Sequence, residues 1–161
     1  QNSLNENALL NRAAIYFELE MYERSLSDYE KVIQINPQNF NANFGLGEIY
    51  FEQNEFEKAL TYYYRAIEIS ANNPNLFIKT GNAEYNLKNY LKAVENFTKA
   101  LSINSNQPQV YFNRALAYKM IGQNENAIND YSEFIKLAGN IPELSSYIEK
   151  AQKEIQQLKS K

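Results

Sequence analysis

Three prolines set the frame of this sequence: Pro74, Pro108 and Pro142 stand 34 residues apart. Proline is tolerated in the first turn of a helix, where its missing N–H has no intrahelical partner to lose. Each therefore marks a helix start, and a fixed period of this size predicts a solenoid of repeated units. Extending the period in both directions divides the chain into repeats 6–39, 40–73, 74–107 and 108–141, without a gap. A segment 142–159 follows, and the whole of 1–161 reads as one domain.

Aligned on this period, the columns repeat in physical type. In the first helix of each repeat a small column (Ala13, Gly47, Gly81, Ala115) is followed by a ring column (Tyr16, Tyr50, Glu84, Tyr118). In the second helix Ser25, Ala59, Ala93 and Ala127 align, then Tyr29, Tyr63, Phe97 and Tyr131, then Val32, Ala66, Ala100 and Phe134. Apolar residues recur at three- and four-residue steps, the period of an amphipathic helix. Small residues opposite large ones let two helix axes approach while rings fill the space between them. The 13 Tyr and 9 Phe, against no Trp, supply those rings.

A 34-residue helix–turn–helix unit with these columns resembles the tetratricopeptide repeat, over about residues 4–159. The resemblance implies an all-α fold: a right-handed superhelical solenoid of four repeats plus a C-terminal capping helix. It also implies a non-catalytic module that holds peptides or protein segments in a concave groove lined by the first helices. The repeats depart from the family pattern in places. Leu9 and Asn43 replace an aromatic that Phe77 and Tyr111 retain, and Glu84 interrupts the ring column. Asn124 stands where Tyr22, Phe56 and Tyr90 would predict a ring, and of the unit-ending prolines only Pro37 survives.

Comparing the repeats with one another yields a further expectation. Repeats one and four share Arg12 with Asp28 and Arg114 with Asp130, whereas those columns hold Leu46 with Tyr62 and Thr80 with Asn96 in between. The charges come and go together, which predicts an ion pair across each of the two outer hairpins. At the ends, Ser3-Leu4-Asn5-Glu6 is a capping-box pattern that starts the first helix near Leu4. Leu144, Ile148, Ala151, Ile155 and Leu158 form one apolar stripe in the last segment, with Ser145, Glu149 and Gln152 on its polar side. That is the pattern of a solvating cap, which terminal repeats require. Ile15 and Leu19 lie on the outward edge of repeat one, in columns that pack on a preceding neighbour elsewhere.

Composition narrows the chemistry. With no His and no Cys, the chain lacks the commonest general base, the commonest metal ligand and any thiolate. Its glycines form no phosphate-cradling loop, and its carboxylates give no sign of converging in a pair. The expectation is therefore no enzyme, no catalytic residues, no cofactor and no metal. A net charge of −3 gives no general attraction to nucleic acid or an anionic membrane. No apolar run approaches the ~18 residues that span a bilayer, so direct membrane insertion is not expected. The chain begins Gln1-Asn2-Ser3 without a Met, as a processed or excised piece does. The compartment stays open between the cytoplasm and, if a signal was removed, the periplasm or the exterior.

Transferring the family's groove columns onto this sequence gives Asn11, Phe17 and Glu18 in repeat one and Phe44, Glu48, Phe51 and Glu52 in repeat two. Repeat three supplies Ile78, Lys79, Asn82 and Tyr85, and repeat four Phe112, Asn113 and Lys119. Six of these, Phe17, Phe44, Phe51, Ile78, Tyr85 and Phe112, are apolar where the hairpin columns make no demand, as in an interaction strip. Asn11, Asn82 and Asn113 can bond a ligand's backbone amides as donor and acceptor. Glu18, Glu48 and Glu52 precede Lys79 and Lys119, and a groove of both signs fixes a ligand's direction. A basic ligand residue is expected at Glu48 and Glu52.

Some family members clamp the acidic tail of chaperones with paired basic residues. The matching positions here are Leu10, Ala14, Gly45, Asn75 and Lys79, or, one repeat on, Phe44, Glu48, Lys79, Gln109 and Asn113. Neither frame pairs two bases, so chaperone-tail binding is disfavoured. The alternatives to a peptide-binding scaffold are a homo-oligomer built through the first-repeat edge or the last helix, and a targeting domain of a larger enzyme or secretion-apparatus protein.

Overall fold

The computed structural model describes residues 2–139 and 141–160, with side chains from Asn5 onward. Among them are nine α-helices, in the order α1 (Asn2–Glu18), α2 (Tyr22–Ile35), α3 (Phe40–Glu52), α4 (Phe56–Ile69) and α5 (Pro74–Asn86). There follow α6 (Tyr90–Ile103), α7 (Pro108–Met120), α8 (Asn124–Ala138), a short 3-10 turn at Pro142–Leu144, and α9 (Ser145–Lys159). The starts of α2, α4, α6 and α8 keep the 34-residue period, as do those of α3, α5 and α7. The chain forms two compact units, one up to Leu76 and one from Phe77. The capping box expected at Ser3 lies outside the described side chains; α1 is already helical at Asn2.

One turn closes every hairpin. Its left-handed residue is Glu20 (φ 57°), Asn54 (φ 60°), Lys88 (φ 62°) or Gly122 (φ 75°), again at the 34-residue spacing. The following N–H reaches back five residues: Met21 to Tyr16 and Glu55 to Tyr50 at 2.8 Å, Asn89 to Glu84 and Gln123 to Tyr118 at 2.9 Å. That bond satisfies a carbonyl left open at the helix end. Only Gly122 adopts the conformation without a steric penalty, so the hairpin imposes it on the other three.

In the first unit α1 packs on α2, α2 on α3 and α3 on α4. Its core joins Leu9, Ala13, Tyr29, Val32, Ala42, Leu46 and Ile49. The small column works as the alignment predicts: a Cβ on Gly47 would lie 2.5 Å from two ring carbons of the fully buried Tyr63. In the second unit the same relation holds between Gly81 and Phe97, at 2.6 Å. There α6, α7, α8 and α9 pack in sequence. Leu144, Ala151 and Leu158 are buried against Phe112, Ala127, Tyr131 and Phe134, while Ser145, Glu149 and Gln152 face solvent.

Both ion pairs are present and bidentate. Arg12 Nε and Nη2 donate to Asp28 at 2.6 and 2.9 Å; Arg114 Nε and Nη2 donate to Asp130 at 2.7 and 2.8 Å. The second lies deeper, with the Arg114 side chain 15% exposed against 54% for Arg12. Depth decides the acidity of the carboxyls. The hydrogen bond from Arg12 holds Asp28 below the ordinary carboxylate value, whereas burial pushes Asp130 up even against Arg114.

Candidate peptide-binding faces

The first helices of the first unit line a hollow of about 400 Å³, bounded by Leu10, Asn11, Ala14, Phe17 and Glu18 of α1 and by Asn41, Phe44, Gly45 and Glu48 of α3. Its remaining wall is Tyr29 of α2. Gly45 explains how the Tyr29 ring comes to form that wall. Its column carries Asn11, Lys79 and Asn113 in the other repeats, and a Cβ on Gly45 would lie 2.4 Å from the Tyr29 ring. Glycine inside a helix costs about 1 kcal/mol relative to alanine; here it lets the tyrosine ring reach the wall.

The charged wall is held in place. The Tyr63 hydroxyl donates to the Glu48 carboxylate from below. Burial raises the Tyr63 pKa and neighbouring Glu48 raises it further, so this hydroxyl stays a donor. Tyr29 is raised in the same order, by burial first and then by Glu48. Phe44 stacks on Phe40 and tilts against Tyr63, each at 6.0 Å between ring centres. Glu52 is exposed but does not line the hollow; the two carboxylates brought to it are Glu18 and Glu48.

Several rings expected to be free of the fold are not. Phe17 packs on Tyr22 (5.9 Å), Phe51 on Phe56 (5.3 Å) and Tyr85 on Tyr90 (5.2 Å). Each pair ties the end of a first helix to the start of the second. In the fourth repeat both partners change together, to Lys119 and Asn124, a covariation visible in the alignment. Lys119 instead donates to Glu154 of α9 at 2.7 Å, so its charge secures the cap. Phe17 alone of these rings also lines the hollow.

Within the second unit the expected strip is interrupted. Phe112 is 4% exposed and meets Tyr131, Phe134 and Tyr147 edge-on at 5.5, 5.1 and 5.4 Å. It belongs to the core because α9 supplies Tyr147 over it, which corrects the reading of Phe112 as an apolar residue without a packing role. Ile78 and Lys79 are half-buried on α5. Asn113 Nδ2 donates to Asn82 Oδ1 at 3.1 Å, spending part of both amides on each other. Among the described residues no cluster of His, Cys, Asp and Glu could hold a metal ion, and no helix is long and apolar enough to cross a membrane.

Sequence profiles of the tetratricopeptide repeat match residues 5–72, 81–122 and 108–141. The chain belongs to the tetratricopeptide-repeat family. No curated protein matches it in sequence. Solved structures of MamA share its fold. A MamA crystal structure superposes with a TM-score of 0.82 at 15% identity, over 96% of this chain and 90% of that one. MamA AMB-1 gives 0.79 at 22% identity over 87% and 77%. MamA from Desulfovibrio magneticus RS-1, residue 41 to the end, gives 0.79 at 14% over 85% and 77%. Likeness at these identities establishes the tetratricopeptide-repeat fold. The family is one of protein-interaction scaffolds, and its members' partners are proteins.

Proposed function

We propose that this chain is a non-catalytic scaffold that captures an extended or helical segment of a protein partner on the first-helix face of its first unit. The observation that carries the reading is the hollow between α1 and α3, which combines ring faces, exposed asparagine amides and the carboxylates Glu18 and Glu48. Apolar surface with a few convergent polar groups is how recognition sites are built. Asn11 and Asn41 each offer a donor and an acceptor, the complement of a peptide bond. Phe44 and Phe17 supply aromatic contact area.

The test is a selection of displayed random peptides on the whole chain, followed by titration of the enriched sequences. Ala14→Tyr fills the hollow from an exposed position, and Thr61→Arg alters an exposed site on α4 as a control. Binding lost to Ala14→Tyr and kept by Thr61→Arg is the expected outcome. Peptides that bind all three proteins equally would exclude this face.

A second reading rests on the outer edge of α1. Ile15 and Leu19 are 58% and 63% exposed, whereas Ile49, in the Ile15 column one repeat on, is fully buried. An apolar edge of this kind supports self-association. Light scattering across a concentration series, repeated with Ile15→Glu/Leu19→Lys, separates the two: a monomer at all concentrations removes the second reading.

A further inference from the structure

Ala8, Arg12, Ile15 and Leu19 form one stripe along α1, at the spacing of a helix face. The positions of Ala8, Arg12 and Ile15 are held by Ala42, Leu46 and Ile49 in α3 and by Val110, Arg114 and Ala117 in α7. There the preceding second helix packs on them: α2 on α3, with Leu26 and Ile33 against the cluster, and α6 on α7. The apolar members are fully buried or nearly so, whereas Ala8, Arg12, Ile15 and Leu19 are all exposed. The two arginines of this column differ in one bond. Both hold their aspartate through Nε and Nη2. Arg114 Nη1 also donates to the Thr98 hydroxyl of α6 at 3.0 Å, while Arg12 Nη1 meets no acceptor among the described residues. We propose that this stripe of α1 docks an amphipathic helix of a protein partner, one that carries an apolar residue, a Ser or Thr, and an apolar residue at i, i+4 and i+7.

The fold itself specifies that occupant. On α6 the stripe is Val94, Thr98 and Leu101, and Leu26 and Ile33 hold its two apolar positions on α2. A helix with this pattern on α1 continues outward the interface that α2 makes with α3 and α6 with α7. It buries Ile15, and its hydroxyl gives Arg12 the acceptor that Thr98 gives Arg114. A second copy has no such helix to spare in α2, α6 or α8, which already pack on α3, α7 and α9. Its own α1 would bring a second guanidinium, a donor with no acceptor. The proposal does not depend on the hollow between α1 and α3.

The probe is a synthetic peptide of residues 88–105, the helix that covers this column in the second unit. Its Glu95 and Lys99, both exposed in the chain, are four residues apart and are joined by a lactam that holds the helix. Titrated against the whole chain by fluorescence anisotropy, the peptide should bind. Ile15→Glu should weaken binding about tenfold or more, because a charge then enters an apolar contact. Ala14→Tyr, which fills the hollow, should leave it unchanged. Thr98→Val in the peptide should weaken binding about fivefold, as loss of a hydrogen bond to a charged group does. That penalty should disappear on the Arg12→Lys chain, since lysine still pairs with Asp28 but has no second nitrogen to offer. Circular dichroism checks that each variant keeps its helices. No binding, binding indifferent to Ile15→Glu, or a Thr98→Val penalty equal on both chains would overturn the proposal. So would a chain that self-associates through Ile15 and Leu19 and is not dissociated by the peptide, since the stripe then serves a second copy.

Discussion

Tyr63 and Tyr131 occupy one column two repeats apart, and both are fully buried. Their hydroxyls meet different ends: Tyr63 donates to Glu48, whereas the Tyr131 oxygen finds no hydrogen-bond partner among the described residues. Leu116 stands in the fourth repeat where Glu48 stands in the second, which removes the acceptor. Tyrosine to phenylalanine deletes only the oxygen and leaves the ring in its socket. A hydrogen bond to a charged group contributes about 1.5–3 kcal/mol. Glu48 is half-exposed, so Tyr63→Phe should lose about 1.5 kcal/mol, the lower end. An unpaired buried hydroxyl carries a desolvation penalty of about 1–3 kcal/mol. Tyr131→Phe should therefore hold stability level or raise it by about 1 kcal/mol. Urea unfolding followed by far-ultraviolet circular dichroism reads both, with midpoints compared at unchanged slope. A repeat array in two units need not melt in one step, so each transition is fitted separately. Similar losses in the two variants would refute the reasoning, because a shared loss means both hydroxyls are equally well bonded.

Other substitutions probe the turns, the crossing, the ion pair and the cap. Gly122 has φ 75° and nothing within 4 Å of a built Cβ, so Gly122→Ala tests backbone strain alone and should lose about 1 kcal/mol; Lys88→Gly should gain about as much. Gly47→Ala forces its Cβ onto the Tyr63 ring; overpacking of about 1–3 kcal/mol against a helix-propensity gain of about 1 leaves a net loss in thermal melting. Asp28→Asn should destabilise by about 1 kcal/mol at neutral pH, since Arg12 is half in solvent. The Asp28 carboxyl is held low by Arg12 and Lys31, so its contribution is present above about pH 4, the unfolded value. It is lost as pH falls through the lower folded value, and the gap between wild type and variant should close in acid; a constant gap would contradict this. Ala151→Glu places a charge at a fully buried position of α9 and should release the cap, read as faster proteolysis after Lys150 and Lys153.

Much of the architecture was legible because a repeat prints its geometry four times. The hairpins, the small-against-ring crossings and the two Arg–Asp pairs all follow from comparing a residue with its counterpart 34 positions away. Each of those features needs only the partner that the same repeat supplies. The three aromatic pairs at the hairpin ends were equally visible in that comparison. They escape a reading that sorts first-helix residues only into packing columns and groove columns, since Phe51 and Tyr85 pack on the turn.

The candidate site was less legible, because exposure belongs to a residue's surroundings. Phe112 shares its column with Phe44 and Ile78, yet it is covered by Tyr147 of α9, a helix outside the four repeats. Lys119 is drawn to Glu154 of the same helix. Tyr29 becomes a wall of the hollow through a missing side chain at Gly45, on a different helix of a different repeat. The sequence by itself determined the period, the helix pairs and the tetratricopeptide-repeat family, since those rest on local periodicity and self-similarity. Tertiary structure alone decided which first-helix residues stay open and which carboxylates share one hollow, since that depends on side chains arriving from neighbouring hairpins and the cap.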